Sequence, residues 1–503
     1  MKASPTVLAV ALIGALAITT TRAADAPKMK MTTDIPPEIT TPDSVETRLG
    51  TLKFFDGLPD KATVEKVYDN LDFQRGVQAF LTCIPGASLL SVRNGIRRFG
   101  PDNQTIVLFE DLMDSKSLFL TANTESVYAW AWLNLKDGPM ILETPPNVLG
   151  MINDFWFRHV IDFGNAGPDK GQGGKFLIVP PGYKGDIPAG YFVAHSPTIN
   201  NLFVWRGYLV DGSPKPSVDS VKKHVRIYPL GKDASASKVT FVNGSGKEMN
   251  TVHANNSKFY EEVNELVQDE PVDAMDPETM GLLAAIGIEK GKPFAPDARM
   301  KKILTEAAAV GNATARAITF RSRDKEAWIY GPSSSYFTPF VGGSHQFLHN
   351  GARNLDARTL FYYPFTLVTP AMAATLVGRG SKYGILALDS EGNYLDGAKN
   401  YRVHLPPNVP AKDFWSFVVY DPQTRSMLQT DNRFPGLNST TGVVPNADGS
   451  IDLYFGPKAP PGKEKNWLQT VPGKGFFTGI RLYGPLQPWF DQTWRPGEIE
   501  LVK

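Results

Sequence analysis

Asn123, Glu125 and Tyr128 place an amide, a carboxylate and a phenol within one short stretch, TANTESVYAWAWLNL. Such a set can supply a general base, an oxyanion donor and a proton donor. The same residue types also satisfy backbone groups where a loop meets a strand, so a structural reading stands beside the catalytic one. A second group lies in MINDFWFRHVIDF, where Asn153, Asp154, Arg158, His159 and Asp162 are set among Trp156 and phenylalanines. His159 with Asp162 has the make-up of a general base and its orienting acid. Charges in so apolar a run must also be paired, so Asp154 with Arg158 and His159 with Asp162 are equally readable as core ion pairs. The chain contains no GxSxG elbow to bring a serine nucleophile.

Three further patterns carry chemistry. In GGSHQFLHNGARNLDARTLFYY, His345 and His349 are four apart and Asp356 follows, a set that could ligate zinc or iron if the segment were helical. Gly342, Gly343 and Gly351 favour a loop instead. No cofactor is expected, with a divalent metal at these residues as the open alternative. In TRSMLQTDNRFPG, Arg425, Gln429, Asn432 and Arg433 can clamp a carboxylate, phosphate or sulfate, or can staple a loop to its neighbour. Trp132 leads a set of strand tryptophans able to stack on a sugar or apolar ring, although the first use of such rings is core filling.

These residues need elements to hold them. From Ser126 the chain alternates, with Val127, Ala129, Ala131, Leu133 and Leu135 on one face and Tyr128, Trp130, Trp132 and Asn134 on the other. The aliphatic face asks for a sheet core, and the aromatic face for an inter-domain contact with Asn123 and Glu125 at its rim. Upstream, Val64, Val67, Leu71, Val77 and Leu81 lie near helical spacing, with Asp60 as cap and Pro85-Gly86 as the expected end. Arg93, Arg97 and Arg98 in SVRNGIRRFG read as a solvated helix face. Short apolar runs between turn residues over 104–212 indicate an antiparallel sandwich. Charged and aliphatic residues then alternate at helical spacing over 216–320, with Pro277 and Pro296 at helix starts. Strand patterns return from about 380, as in a jelly roll. The expected organisation is a signal peptide at 1–23, a flexible lead-in at 24–47, a β-sandwich with an N-terminal helix at 48–215, a helical segment at 216–330 and a second β domain at 331–503.

The leader MKASPTVLAVALIGALAITTTRA has an early lysine, an apolar run and small residues before AADAP, the pattern of a secretory signal peptide. Its apolar run is too short to span a bilayer. Export combined with one cysteine, Cys83, rules out an intramolecular disulfide and points to a bacterial periplasm or secretion. With 52 basic and 51 acidic residues there is no basic stripe of the kind nucleic-acid binding needs.

Several longer stretches resemble a known pair of domains of unknown function, DUF1254 followed by DUF1214, of bacterial envelope and secreted proteins. The first resemblance rests on NTESVYAWAWLNLKDGPMILETPP, GKFLIVPPGYKGDIPAGYFVAHSPT and VWRGYLVDG, and the second on DFWSFVVYDPQTRSMLQTDNRFPG, DGSIDLYFGP, NWLQTVPGKGFF and RLYGPLQPWFDQTWRPGEIELV. It implies a mainly β protein with an N-terminal immunoglobulin-like sandwich, an α-helical middle part and a C-terminal jelly roll. Where the family pattern often carries Asp, this chain has Glu125, so a role for that carboxylate must tolerate one more methylene. The resemblance implies no settled reaction. Two functions remain, with a homo-oligomer expected for either. One is a periplasmic hydrolase with an interdomain cleft, using Glu125, Asn123, Tyr128 and His159 and binding substrate through Trp132, Arg425, Gln429 and Arg433. The other is a non-catalytic envelope protein that binds a sugar, lipid or aromatic ligand or assembles through its aromatic faces. Glu125 clustered with His159, His345 or Arg433 favours catalysis, and separate pairing of these residues favours binding.

Overall fold

The computed structural model describes residues 29–502, and the expected signal peptide at 1–23 lies outside them. Two compact units divide the chain at Tyr68. In the first, Ser44–Thr47, Gly50–Phe55 and Leu58–Pro59 form an antiparallel meander. Its second hairpin turns on Asp56-Gly57, both at positive φ (46° and 79°), as the tight primed turn between twisted strands requires.

A long helix, Lys61–Arg97, is capped at its start by Asp60, whose Oδ1 accepts the Thr63 N–H at 2.7 Å. The helix does not end at Pro85-Gly86 but runs through it. Proline in a helix interior costs about 3 kcal/mol. Here the flanking residues Phe80, Cys83, Ile84, Leu89, Leu90 and Ile96 are all buried, and their burial offsets that cost. Gly86 allows close approach, since a Cβ there would stand 2.8 Å from Leu266 and 3.0 Å from Trp156. The extension also carries Arg93 inside, correcting the solvated-face reading. Its guanidinium is fully buried, pairs with Glu265 and Asp269 and lies 5.0 Å from the Phe155 ring. Cys83 is buried as well, and burial pushes its thiol up to about 12, so it is a small core residue rather than a reactive one.

The first β region contains a six-stranded sheet, in the order Thr240–Asn243, Thr105–Leu108, Ser126–Asn134, Asn200–Tyr208, Val148–Asp154 and His159–Gly164. A four-stranded sheet follows the order Phe192–His195, Gly174–Val179, Met140–Thr144 and Arg226–Pro229. Val127, Ala129, Ala131 and Leu133 from one sheet share a core with Leu142, Phe176, Ile178 and Ile227 of the other. Two edge pairings are parallel rather than antiparallel, Gly174–Val179 with Phe192–His195 and Thr105–Leu108 with Thr240–Asn243. The latter strand and Arg226–Pro229 lie within the stretch expected to be helical, so the chain returns to the first β region between helices.

Lys215–His224, Lys258–Asp269, Pro277–Ala284 and Ala298–Phe320 supply the helical part. Asp276 and Asp297 cap the last two by accepting from Thr279 and Met300; Pro277 is the first helical residue, whereas Pro296 precedes the cap. Tyr128, Trp130 and Trp132 belong to the same core as Phe80, Phe259 and Tyr363, so helices and the second β region cover the aromatic face.

The second β region has a five-stranded sheet, ordered Tyr336–Phe337, Ser381–Leu386, Thr478–Pro485, Ala411–Val418 and Gly436–Asn438. A four-stranded sheet of Trp467–Gln469, Ile451–Gly456, Tyr401–Leu405 and Ile499–Leu501 shares a core with it through Phe417, Ile480, Val403 and Phe455. The chain is thus mainly β with a helical part. Among the described residues no helix is long and apolar enough to cross a membrane.

Candidate functional site

The loop before the aromatic strand is gripped by the second β region. Thr121 N–H donates to the Arg425 carbonyl at 2.8 Å, the Tyr420 hydroxyl to the Ala122 carbonyl at 2.8 Å, and Arg481 Nη2 to the Thr121 carbonyl at 2.6 Å. Thr121 itself is held at φ 42°, an uncommon conformation for a β-branched residue, and its hydroxyl donates to the Pro364 carbonyl at 3.1 Å.

This grip sets two rows of side chains around one cavity. In the six-stranded sheet, Tyr128, Arg206 and Leu149 are neighbours in register on three adjacent strands. In the five-stranded sheet, Tyr383, Arg481 and Ser416 are likewise in register. Tyr128, Arg206, Leu149, Tyr383 and Arg481 line a cavity of about 40 Å³, with Phe361 among its apolar walls. That is room for a few water-sized groups. The Arg481 guanidinium lies 4.7 Å from the Tyr383 ring and 5.6 Å from that of Tyr420. Neither Arg206 nor Arg481 takes part in the arginine ion pairs formed among the described residues. The sequence reading missed Arg206, Tyr383 and Arg481. Their signal was present, because FVWRGY and GIRLYG each set a lone arginine in an apolar strand, where a guanidinium must find partners.

Glu125 is not among the residues lining this cavity and is buried to 5% exposure. Its Oε1 accepts from the Thr124 hydroxyl at 2.8 Å, while Oε2 has no hydrogen-bond partner. Burial holds its carboxyl above the ordinary glutamate range, with the Thr124 bond and the Arg481 charge pulling the other way. Burial likewise raises the Tyr128 and Tyr483 phenols. Asn123 serves its own loop, its Oδ1 accepting from Glu125 N–H at 3.1 Å and the Ser126 hydroxyl at 2.8 Å.

The other sequence candidates lie apart from this group. His159 Nε2 stands 3.2 Å from Asp162 Oδ1, and its ring meets His345 edge-on at 5.8 Å. Asp154 is fully buried, accepting from Trp156 and Arg158 N–H groups and pairing with Arg158 Nε at 2.6 Å. His349 sits on a short exposed hairpin, Leu348–His349 with Ala352–Arg353, and Asp356 pairs with Arg323 at 3.0 Å. His159, Asp162 and His345 are neighbours, but no cluster of three ligating side chains able to hold a metal occurs among the described residues. The segment forms a turn and a short hairpin rather than the helix that would set His345 and His349 on one face. Trp132 is fully buried, with its Nε1 donating to Asn200 Oδ1 at 3.0 Å, so it packs the core and presents no stacking platform.

Arg425 is also fully buried. It donates to the carbonyls of Gln423 and Tyr363, stacks 4.2 Å over the Tyr363 ring and approaches His253 Nε2 at 3.3 Å, the arrangement of a staple. Gln429 donates to the Ser115 carbonyl at 3.1 Å and Arg433 pairs with Asp114 at 3.0 Å, beside an open depression of about 810 Å³. Acidic Asp114, Glu248 and Asp431 alternate there with Arg98, Lys116 and Arg433, which leaves no field of one sign for an anion.

The geometry defines a chain of two β regions meeting through a gripped loop, and family models match a stretch of each. The model for proteins of unknown function DUF1254 matches residues 103–229, and that for proteins of unknown function DUF1214 matches residues 380–487, in the expected order. Among solved structures, the VPA0106 protein from Vibrio parahaemolyticus is 19% identical and superposes with a TM-score of 0.51, covering 86% of this chain and 100% of its own. That likeness is one of fold. An uncharacterized protein from Burkholderia cenocepacia, 11% identical, gives a TM-score of 0.37 over 87% of this chain and 96% of its own. No curated protein matches.

Proposed function

We propose that this is an exported periplasmic protein that binds a small molecule at the junction of its two β regions. In this reading those regions are the immunoglobulin-like sandwich and jelly roll of the family, and the chain works as a homo-oligomer. The observation that carries it is the cavity itself, built by facing rows from both regions and combining apolar walls with convergent tyrosine and arginine side chains. Binding is favoured over hydrolysis because Glu125, His159 and Arg433 each have separate partners and do not share one cavity.

Substitution of Leu149 by tryptophan tests the location. Leu149 is half-buried on the cavity wall, so the larger ring should fill the space while the fold is retained. Probe binding, followed by calorimetry with small apolar alcohols and acids, should weaken about tenfold or more. Unchanged affinity in the folded variant would place the ligand elsewhere. Export is tested by intact-mass analysis of the periplasmic fraction, which should yield a chain beginning near Ala24. Recovery of protein retaining Met1 to Ala23 overturns it.

A further inference from the structure

We infer that the ligand of this cavity is an apolar molecule bearing a single carboxylate, gripped by Arg206 and Arg481. The inference rests on the small-molecule reading above and names its ligand class. A guanidinium carries five N–H donors. Arg481, 3% exposed, commits Nη2 to the Thr121 carbonyl at 2.6 Å, its one hydrogen bond among the described residues. The Tyr383 and Tyr420 rings lie 4.7 and 5.6 Å from its Cζ and hold the group beside the cavity, where its uncommitted N–H donors can meet an acceptor. Those donors match the two oxygens of a carboxylate.

Arg206 adds a second positive charge from the opposite sheet, and the register that sets it beside Tyr128 and Leu149 fixes it on the cavity side. A buried positive charge without a paired anion is costly. Glu125 compensates Arg481 only weakly: the two are not within ion-pair distance, and burial favours the protonated form of its carboxyl. An incoming carboxylate would supply the missing negative charge. Leu149, Met151, Phe361 and Met372 on the walls would take a short aliphatic tail of the size the cavity admits. They are the wrong surface for a hydrated inorganic anion.

Calorimetry on the mature protein tests this with acetate and propionate, their neutral counterparts ethanol and propan-1-ol, and inorganic phosphate. Both carboxylates should bind about tenfold or more tightly than the matching alcohols. Arg206→Gln should remove that preference, and Arg206→Lys should restore part of it, which a purely structural role would not do. Equal binding of acids and alcohols overturns the carboxylate inference and leaves the small-molecule reading standing. The same holds if phosphate binds best, or if the preference survives Arg206→Gln. If no probe binds, both fail together.

Discussion

Replacing Trp132 by alanine is expected to lower the stability of the protein by about 3–5 kcal/mol, the usual cost of truncating a buried tryptophan. The indole is fully buried and meets Phe155 edge-on at 5.1 Å, so its loss opens a cavity in a core shared by strand and helices. Its Nε1 also serves a polar chain: Asn200 Oδ1 accepts from it at 3.0 Å, and Asn200 Nδ2 donates to Glu270 at 2.9 Å. Glu270 in turn accepts the backbone N–H groups of Ile199 and Asn200, at 2.6 and 2.9 Å. Alanine orphans the Asn200 acceptor in a buried site and adds to the cavity cost. Urea denaturation gives the measurement, through a lower midpoint at unchanged slope. A midpoint that barely moves while probe binding disappears would restore Trp132 as a ligand platform.

Arg425→Ala should be comparably costly, about 3–5 kcal/mol, because it orphans several buried acceptors at about 1–3 kcal/mol each. The guanidinium is fully buried and serves the carbonyls of Gln423 and Tyr363 as well as His253 Nε2. That last contact fixes the histidine. Nδ1 stands 2.9 Å from the Ala254 carbonyl and must carry the proton, which leaves Nε2 to accept from Arg425. Burial, with the Arg425 charge, pulls the His253 imidazole down from 6.5 to about 3. Because the folded pKa is depressed, the unfolded chain binds this proton first. The contribution of neutral His253 is therefore fully present above about pH 6.5 and is lost progressively as pH falls towards 3. The denaturation midpoint of the wild type should drop through that window, and His253→Asn should flatten the difference. A folded Arg425→Ala protein with unaltered stability but weaker ligand binding would make Arg425 a clamp after all.

What the sequence revealed followed from short-range physics. Period-two alternation in SVYAWAWLN identified the strand and both faces, because successive side chains must point to opposite sides. Asp60 marked a helix start because a carboxylate there satisfies a free N–H, and longer motifs identified the domain pair. Pro85 misled because its local cost is visible in the sequence while the burial that outweighs it is not. The same limit hid the buried position of Arg93.

The candidate site was legible only in fragments. Tyr128 and Glu125 were recognised from their residue types, but Arg206, Tyr383 and Arg481 come from strands far apart in sequence. By itself the sequence determined many of the strands and helices and the order of the two domains, but not the strands Arg226–Pro229 and Thr240–Asn243 inside the helical part. Tertiary structure decided which charges meet: it buried Arg425 as a staple, paired Asp356 with Arg323 and brought Arg206 and Arg481 to one cavity. The reason is that strand pattern depends on neighbours one or two residues away, whereas a site depends on sheet register and on one region docking on another, which no local spacing encodes.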